Sequence, residues 1–180
     1  MVHEDDDSFL NPQSPYAETK IKIEKRLSTY KNGYMILRLG TIFGVSSGMR
    51  FHTAINKFCF EAATGSPLTV WRENYDQRRP YLGLNDAVNA IRFLVQNEAW
   101  NETYNILTGN YRLSDIISWI KDAADITINM VDTPLLNQFS YEVSDEKIKS
   151  IGFKPTDDLF NEINKTLHKL RNLSKHETAE

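Results

Sequence analysis

The chain has 180 residues, enough for one domain with a hydrophobic core, and 41% of them are hydrophobic and 25% charged. Its formal net charge of -3 offers no basic excess for nucleic acid or an anionic membrane, although a nucleotide substrate needs only a few local cations. One cysteine excludes an internal disulfide, and its neighbours Phe58 and Phe60 indicate that Cys59 is a buried, inert thiol. No apolar run approaches the roughly 18 residues of a membrane helix, and the acidic N-terminus is unlike a signal peptide, so we expect a cytoplasmic protein.

The first third of the chain predicts a loop, a helix and a strand. Residues 1–13 are polar and indicate a loop. Ser14 and Pro15 are typical residues for the cap and first turn of a helix, which we expect to run to about Lys31 and to end at Asn32-Gly33. The apolar run "YMILRLGTIFG" that follows is typical of one buried strand.

The middle of the chain again predicts helices and strands in turn. A second helix is predicted over residues 51–65, and "LTVW", "PYLGL" and "TYNIL" are strand candidates. Asn85 is the predicted cap of a third helix, in which Asp86 is expected to be an ordinary first-turn residue rather than a catalytic acid. The inward face of this helix is predicted to carry Val88, Ile91 and Val95.

The C-terminal third adds three helices and a strand. Ser114 is expected to begin the fourth helix, "ITINMV" alternates like a strand, and residues 144–151 suit a short helix. The last helix is predicted from about Thr156 to Leu173. The inner residues of the fourth and last helices are predicted to be Ile116, Ile117, Ile120, Ala124, Leu159, Ile163, Leu167 and Leu170. This alternation of strands and helices predicts an α/β fold.

The first helix contains Tyr16 and Lys20 on one stripe with Ile23, Leu27 and Tyr30. Such a lysine can simply extend to water, which the pattern alone favours. Alternatively, side chains four residues apart on a helix reach the same point, and a cation about 4 Å away stabilises a phenolate by roughly 4 kcal/mol at an effective dielectric constant of about 20. That energy corresponds to about 3 pKa units, so the tyrosine would take a proton from a substrate hydroxyl near neutral pH.

Several segments give this pair a wider context. An acidic loop, "PQSPYAETK", "RLGTIFG", "MRFHTAINKFCFEAATGSPLTVW", "QRRPYLGLNDAVNAI" and "SDEKIKSIGFKPTDDLFNEI" occur in this order. Their order and spacing resemble the extended short-chain dehydrogenase/reductase family, whose members include NAD-dependent sugar-nucleotide epimerases and dehydratases. The resemblance covers nearly all of residues 4–170 and corresponds to the C-terminal half of such an enzyme.

The resemblance implies a catalytic pair and a substrate site. Tyr16 would be the catalytic acid/base, and Lys20 would bind the nicotinamide ribose of NAD or NADP and depress the tyrosine pKa. A hydride would pass from a sugar carbon to the cofactor, giving a transient keto sugar. The nucleoside-diphosphate sugar would be bound by Thr41, Arg50, Asn56, Val70 and Arg79.

The five substrate residues match the family unevenly. Arg79 would hold the diphosphate with its forked cation, and Asn56 matches a polar substrate-facing position with Arg50 near it. Each of these three could instead be an ordinary solvated polar residue. Thr41 stands where the family often has asparagine beside the sugar phosphate. Val70 lies in "LTVWREN", which lacks the family's usual glycines, so we expect a different base-binding pocket.

The glycine-rich turn that binds NAD in such enzymes is not found in this sequence, because the glycines of "GTIFGVSSG" match no dinucleotide fingerprint. We therefore predict the C-terminal part of a Rossmann-type doubly wound fold plus a small α/β substrate-binding domain, with the glycine-rich first βαβ unit absent. Residues 1–48 would end the NAD-binding domain. Residues 49–180 would mainly form the substrate-binding domain, with about 85–110 returning to the Rossmann sheet. The "YMILRLG" strand would then have a bare edge, so the chain alone is expected to be poorly stable or to associate.

Two functions from different classes stay open. The first is an NAD-dependent epimerase/dehydratase-like oxidoreductase, whether epimerase, 4,6-dehydratase or reductase, and the resemblance implies a homodimer for the complete enzyme. The second is a non-catalytic sugar-nucleotide-binding or interaction module that lacks the cofactor site. No metal site is predicted, because the four histidines show no ligand spacing, and no G-x-S-x-G supports a serine hydrolase.

Overall fold

The computed structural model describes residues 1–6, 12, 14–30, 33–132 and 140–177, with side chains as far as residue 173. Lys31 and Asn32, where the sequence predicts the end of the first helix, lie outside these residues, as does part of the predicted N-terminal loop. The elements in chain order are α1 (Pro15–Leu27), β1 (Met35–Leu39), β2 (Thr41–Phe43), α2 (Ala54–Ala63), β3 (Leu68–Trp71), β4 (Arg78–Gly83), α3 (Leu84–Gln96), β5 (Glu102–Ile106), β6 (Gly109–Arg112), α4 (Leu113–Ala123), β7 (Ile128–Val131), α5 (Glu146–Ser150) and α6 (Leu159–Glu177). Their alternation confirms the predicted α/β class.

The strands of the described chain form three small sheets. β1 pairs with β5 and β3 pairs with β7, both in parallel. In the third sheet, β4 lies between a parallel β2 and an antiparallel β6. β6 was not predicted, since its sequence "GNYR" lacks the apolar alternation that marks a strand.

The apolar run "YMILRLGTIFG" forms two strands, so the prediction of one buried strand is wrong. β1 and β2 separate at Gly40 and join different sheets. A Cβ at Gly40 would lie 3.1 Å from the carbonyl oxygen of Pro80, so glycine lets the chain pass close to β4 at this transfer. Only Ile36 of β1 is buried, and within the described residues β1 has a strand on one side only.

The buried apolar residues form two clusters. The larger one packs α2, α4 and α6 against strands β2, β3 and β4, and it includes Cys59, which is fully buried as predicted. Burial raises the pKa of the Cys59 thiol to about 12, which leaves it protonated and inert at neutral pH. The smaller cluster packs α3 and α5 against β4 and β5.

The inner faces of α4 and α6 are confirmed. All their predicted inward residues are buried except Leu170, which packs against the larger cluster from a partly buried position. The helix starts differ from the prediction. α4 begins one residue early, at Leu113, where the Asp115 carboxylate accepts a hydrogen bond from the backbone N–H of Arg112 (3.3 Å). α6 begins at Leu159, directly after Asp158, whose carboxylate accepts a hydrogen bond from the N–H of Phe160 (3.1 Å).

The predictions for α3 are wrong at its start and on its faces. Gly83 rather than Asn85 is the cap residue. The buried face carries Asp86, Ala87, Ala90 and Leu94, and the three residues predicted to face inward are 43–49% exposed. Apolar residues lie on two sides of α3. The side with Ala87 and Ala90 is the buried one, because small side chains let the helix approach the sheet more closely.

α1 begins as predicted and ends earlier. The Ser14 hydroxyl accepts a hydrogen bond from the N–H of Ala17 (3.2 Å). The hydroxyls of Ser28 and Thr29 donate to carbonyls of the last turn, which closes the helix at Leu27 rather than near Lys31.

The predicted stripe of α1, which begins at Tyr16, is mostly exposed. Tyr16 is 71% and Ile23 47% exposed, and no residue of α1 is buried. The partly covered residues of α1 are Ala17, Ile21, Glu24 and Leu27, of which only Leu27 belongs to the predicted stripe. Lys20 therefore lies on an open face. Along the described residues, no helix is long and apolar enough to cross a membrane.

Candidate active site

The structure brings Tyr16 and Lys20 together in the first two turns of α1. The Lys20 Nζ lies 5.3 Å from the centroid of the Tyr16 ring, in cation–π geometry, and both side chains are exposed. The spacing of four residues places them on one side of the helix, as predicted. Tyr16 also lies at the helix N-terminus, where the macrodipole favours a negative charge such as a phenolate.

A polar network attaches α1 to the first sheet. The Arg38 guanidinium on β1 donates to both carboxylate oxygens of Glu24, with Nη2–Oε2 at 2.7 Å, and its Nη1 donates to the carbonyl oxygen of Glu4 (3.0 Å). The Glu4 carboxylate accepts from the backbone N–H of Asn105 on β5 (2.8 Å). This network, which sequence patterns did not reveal, therefore sets where the helix with Tyr16 and Lys20 lies.

A cavity of about 350 Å³ lies beside this network. It is lined by Glu4, Asp5, Ile21, Glu24, Lys25, Ser28, Ile36, Arg38 and Thr103, none of which is a predicted site residue. Its walls are mainly polar and charged. The cavity therefore belongs to the attachment of α1 rather than to the predicted substrate site.

Asn56 holds a loop in place. It lies in the first turn of α2 and is only 4% exposed, so it is not a solvated residue. Its Oδ1 accepts from the N–H of Gly44 (3.3 Å), and its Nδ2 donates to the carbonyl of Arg50 (3.1 Å). The amide thus holds the loop between β2 and α2 at Gly44 and at Arg50. The Arg50 side chain itself is exposed.

Arg79 lies on β4, next to the strand that contains Thr41. Thr41 begins β2 and pairs with Tyr81 of β4, so Thr41 and Arg79 lie on adjacent strands. Arg79 is half-buried. Its Nη2 donates to Oε1 of Gln77 (3.0 Å), and its Cζ lies 5.1 Å from the centroid of the Tyr141 ring.

The neighbouring arginine is in a different environment. Arg78 is exposed and forms an ion pair with Glu142, and this pairing raises the pKa of Arg78. Arg79, two residues before the buried Tyr81, shares its side of the strand. Burial raises the pKa of the Tyr81 phenol to about 12, so Tyr81 stays protonated at neutral pH.

Val70 is fully buried in the larger core cluster, paired with Met130 of β7. Its side chain packs in the core, so the structure does not place Val70 at a surface where it could bind a substrate. The exposed residue of this strand is its neighbour Trp71, at 46%.

Asp86 joins the start of α3 to the segment before α6. Its fully buried carboxylate accepts hydrogen bonds from the Thr108 hydroxyl (2.6 Å) and from the N–H groups of Thr156 (2.7 Å) and Asp157 (3.1 Å). Asp157 in turn accepts from the N–H of Asp86 (3.0 Å) and from the side chain of Asn85 (3.1 Å). Asp86 is thus a first-turn residue of the helix, as predicted. In the part of the chain that the structure describes, no group of His, Cys, Asp and Glu side chains is placed to hold a metal ion.

A family model and two curated relatives match large parts of this chain. A family model, the NAD dependent epimerase/dehydratase family, matches residues 2–106. UDP-sulfoquinovose synthase, chloroplastic, of Spinacia oleracea is 28% identical over 115 residues, which are 58% of this chain and 24% of that protein. The trifunctional UDP-glucose 4,6-dehydratase/UDP-4-keto-6-deoxy-D-glucose 3,5-epimerase/UDP-4-keto-L-rhamnose-reductase RHM3 of Arabidopsis thaliana is 27% identical over 155 residues, covering 81% of this chain and 23% of that protein.

Solved structures show the same fold. UDP-glucose 4-epimerase of Thermus thermophilus, in complex with NAD, superposes with a TM-score of 0.78 at 20% identity and covers 89% of this chain. RMD from Pseudomonas aeruginosa, complexed with NADPH, gives a TM-score of 0.82 at 19% identity over 96% of this chain. The matches take in 55% and 60% of those two chains. The chain therefore spans little more than half of these structures and about a quarter of the two curated relatives.

Proposed function

The chain belongs to the NAD dependent epimerase/dehydratase family, and we propose that it is the substrate-binding portion, with the catalytic tyrosine helix, of an oxidoreductase acting on a nucleoside-diphosphate sugar. The observation that carries this proposal is the contact between Lys20 and the Tyr16 ring at the start of α1. The family match spans this pair and Arg79, so the proton-transfer group and the proposed diphosphate residue lie in one matched segment.

Tyr16 is the proposed acid/base. Its phenolate would take the proton of a sugar hydroxyl and return it later, while the Lys20 ammonium favours the negative charge. At 4 Å, attraction between unit charges is about 1 kcal/mol in water and about 4 kcal/mol at an effective dielectric constant of 20. Because both side chains are exposed in this chain, we infer that the pair becomes an effective base only where the rest of the enzyme covers it.

The family is NAD dependent, and NAD supplies a hydride acceptor when it is bound. The residues of this chain that fit the cofactor are those of the pair. The Lys20 ammonium has three donors, enough to bind ribose hydroxyls while it lies over the Tyr16 ring. Groups that would bind the pyrophosphate of NAD are not apparent in this sequence.

Arg79 is the proposed diphosphate residue of the substrate site. Thr41 lies on the adjacent strand, and Asn56 fixes the loop from which Arg50 extends. The curated relatives are named for reactions on UDP-sugars, which supports a UDP-sugar as the substrate. The exposed apolar residues of α1 support a homodimer of the complete enzyme through this helix.

Calorimetric titration tests the proposal. We would titrate the 180-residue chain with NAD and with UDP-, GDP-, CDP- and dTDP-sugars, and we expect binding of a UDP-sugar. Arg79→Ala should weaken that binding about tenfold or more, because hydrogen bonds to charged groups contribute about 1.5–3 kcal/mol.

Arg92→Ala, at an exposed arginine on α3, is the matched control and should bind like the wild type. A wild-type chain that binds none of the sugar nucleotides would overturn the proposal. Sugar-nucleotide binding without NAD binding is the result expected of a folded substrate-binding portion, since groups for the NAD pyrophosphate are not apparent in this sequence.

A further inference from the structure

We propose that Tyr141 is a positioning residue that holds the Arg79 guanidinium for the diphosphate of the substrate. The inference rests on the function proposed above and extends its site to a residue that no motif indicated. Tyr141 is 62 residues beyond Arg79 in the sequence, next to the undescribed segment 133–139, and contacts it only through the fold.

Two contacts with described residues hold the Arg79 guanidinium. The Tyr141 ring covers one flat face, 5.1 Å from Cζ, and Gln77 accepts a hydrogen bond at one edge (3.0 Å). The Gln77 amide is itself fixed, because its Nε2 donates to the carbonyl of Glu73 (2.9 Å), which leaves Oε1 facing the arginine. The plane and the rotation of the guanidinium are therefore both set.

The backbone around Tyr141 is attached to two strands. The N–H of Tyr141 donates to the carbonyl of Arg78 on β4 (3.2 Å), and the Ser140 hydroxyl accepts from the N–H of Arg78 (3.0 Å). On the other side, Val143 exchanges two hydrogen bonds with the side chain of Asn110 on β6 (3.0 and 2.9 Å). The ring is thus presented to Arg79 by a segment that cannot shift without breaking these bonds.

This arrangement suits an arginine that binds an anion. A guanidinium bonds phosphate oxygens through its N–H edge, whereas it stacks on an aromatic ring through its face. Tyr141 therefore restrains Arg79 without competing with the ligand, and a side chain restrained before binding loses less freedom on binding. At the neighbouring Arg78, the paired Glu142 carboxylate would repel a phosphate.

A mutant cycle with calorimetry tests the role of Tyr141. The 180-residue chain would be titrated with UDP-glucose, UDP and UMP, since UDP and UMP differ by one phosphate. We expect Tyr141→Leu to weaken UDP-glucose and UDP binding about fivefold and to change UMP binding less. Tyr141→Phe keeps the ring and should bind like the wild type. In an Arg79→Ala background, Tyr141→Leu should have no further effect.

The outcomes separate this inference from the proposed function. If the wild type binds UDP-glucose and Tyr141→Leu binds it equally well, the positioning role is wrong and the proposed function stands. If the wild type binds no sugar nucleotide, both fail. Equal losses for UDP and UMP, or an undiminished effect in the Arg79→Ala background, would show a merely structural role and overturn the inference.

Two controls keep the test interpretable. Tyr30→Leu makes the same replacement at another exposed tyrosine and should leave binding unchanged. Thermal unfolding of each variant checks the fold, and Tyr141→Gln is the second variant if Tyr141→Leu does not fold. Because Tyr141 is 44% exposed, a polar replacement there is compatible with the folded chain.

Discussion

Arg78 and Arg79 are neighbours in the sequence, yet their side chains have different contacts. Arg78 pairs with Glu142, while Arg79 lies against Gln77 and Tyr141. Successive side chains of a strand point to opposite faces, so adjacent residues meet different partners. The family resemblance assigns the diphosphate to Arg79, and that assignment stays a prediction. The structure adds that the two arginines of this short motif have different partners.

The ion pair of Glu142 predicts a specific acid sensitivity. Arg78 and Arg112 lie directly opposite each other on β4 and β6. The hydrogen bond from Arg78, with the attraction of Arg78, the N-terminal ammonium and Arg112, holds the pKa of Glu142 below its ordinary 4.5. A carboxyl with a lowered folded-state pKa stabilises the fold above its unfolded-state pKa, and this contribution is lost as pH falls through the folded-state value. We therefore expect Glu142→Gln to lose less stability on acidification than the wild type.

Thermal unfolding at pH 7 and at about pH 3 measures this difference, which we expect to be about 2 °C in Tm. Glu73→Gln, at an exposed glutamate after β3, is the control and should follow the wild type. An acid-induced loss in Glu142→Gln as large as that of the wild type would show that the ion pair contributes nothing.

Among the elements, α3 shows most clearly how distant parts of the chain set a helix terminus. Its cap residue is Gly83, which has no side chain to bond the free N–H groups of the first turn. The Asp157 carboxylate supplies that bond from 71 residues away, while Asp86 returns bonds to the backbone around Asp157. The start of α3 and the segment before α6 are therefore joined by reciprocal capping.

This capping predicts that glycine is required at position 83. A Cβ there would lie 2.1 Å from Asp157 Oδ2, so Gly83→Ala must displace the carboxylate and break the cap. We expect a loss of about 1–2 kcal/mol in the free energy of unfolding, the usual cost of a lost helix cap. Urea denaturation measures it, with Gly48→Ala as the control, since nothing lies within 4 Å of a Cβ at Gly48. Equal midpoints for Gly83→Ala and the wild type would contradict the role of Asp157.

The helices also show when a hydrophobic pattern predicts a face. α4 has one apolar side, so the burial of Ile116, Ile117 and Ile120 followed from the sequence. α3 has two such sides, and contact with the sheet selects the one with Ala87 and Ala90. Periodicity finds an apolar stripe, but it cannot choose between two of them.

On the scale of the whole molecule, several apolar surfaces are exposed to solvent. Within the described residues β1 has a neighbouring strand on one side, and the outer faces of α1 and α3 expose Tyr16, Ile23, Val88 and Val95. The chain covers little more than half of the solved enzymes that it resembles. The expectation that the chain alone associates or is poorly stable therefore stays a prediction.

The proposed proton transfer also depends on the whole molecule, because the Tyr16–Lys20 pair is exposed to water in the chain by itself. In the complete enzyme, we expect Tyr16→Phe to reduce turnover of the sugar nucleotide by about 10²–10⁴-fold, the usual contribution of general acid–base catalysis. NAD binding should change little, because the variant removes only a hydroxyl. Steady-state kinetics with NAD titration measures both effects. Tyr30→Phe, beyond the end of α1, is the control, and unchanged turnover in Tyr16→Phe would refute the assignment.

The sequence by itself determined the alternation of helices and strands, the start of α1 at Ser14, the burial of Cys59 and the inner faces of α4 and α6. Each of these depends on residues within a few positions of one another. Their local hydrogen bonds and hydrophobic spacing can be recognised in a short stretch of sequence. The family resemblance, which the family match confirms, likewise comes from short motifs in a fixed order.

Only the tertiary structure decided the transfer of the chain between sheets at Gly40, the cap that Asp157 provides for α3, and the contact between Tyr141 and Arg79. The capping pair and the stacked pair join residues more than 60 positions apart, and the turn at Gly40 depends on the approach of another strand. Packing brings these partners together, and no local propensity contains that information, because the energy of each contact arises only when both partners are already in place.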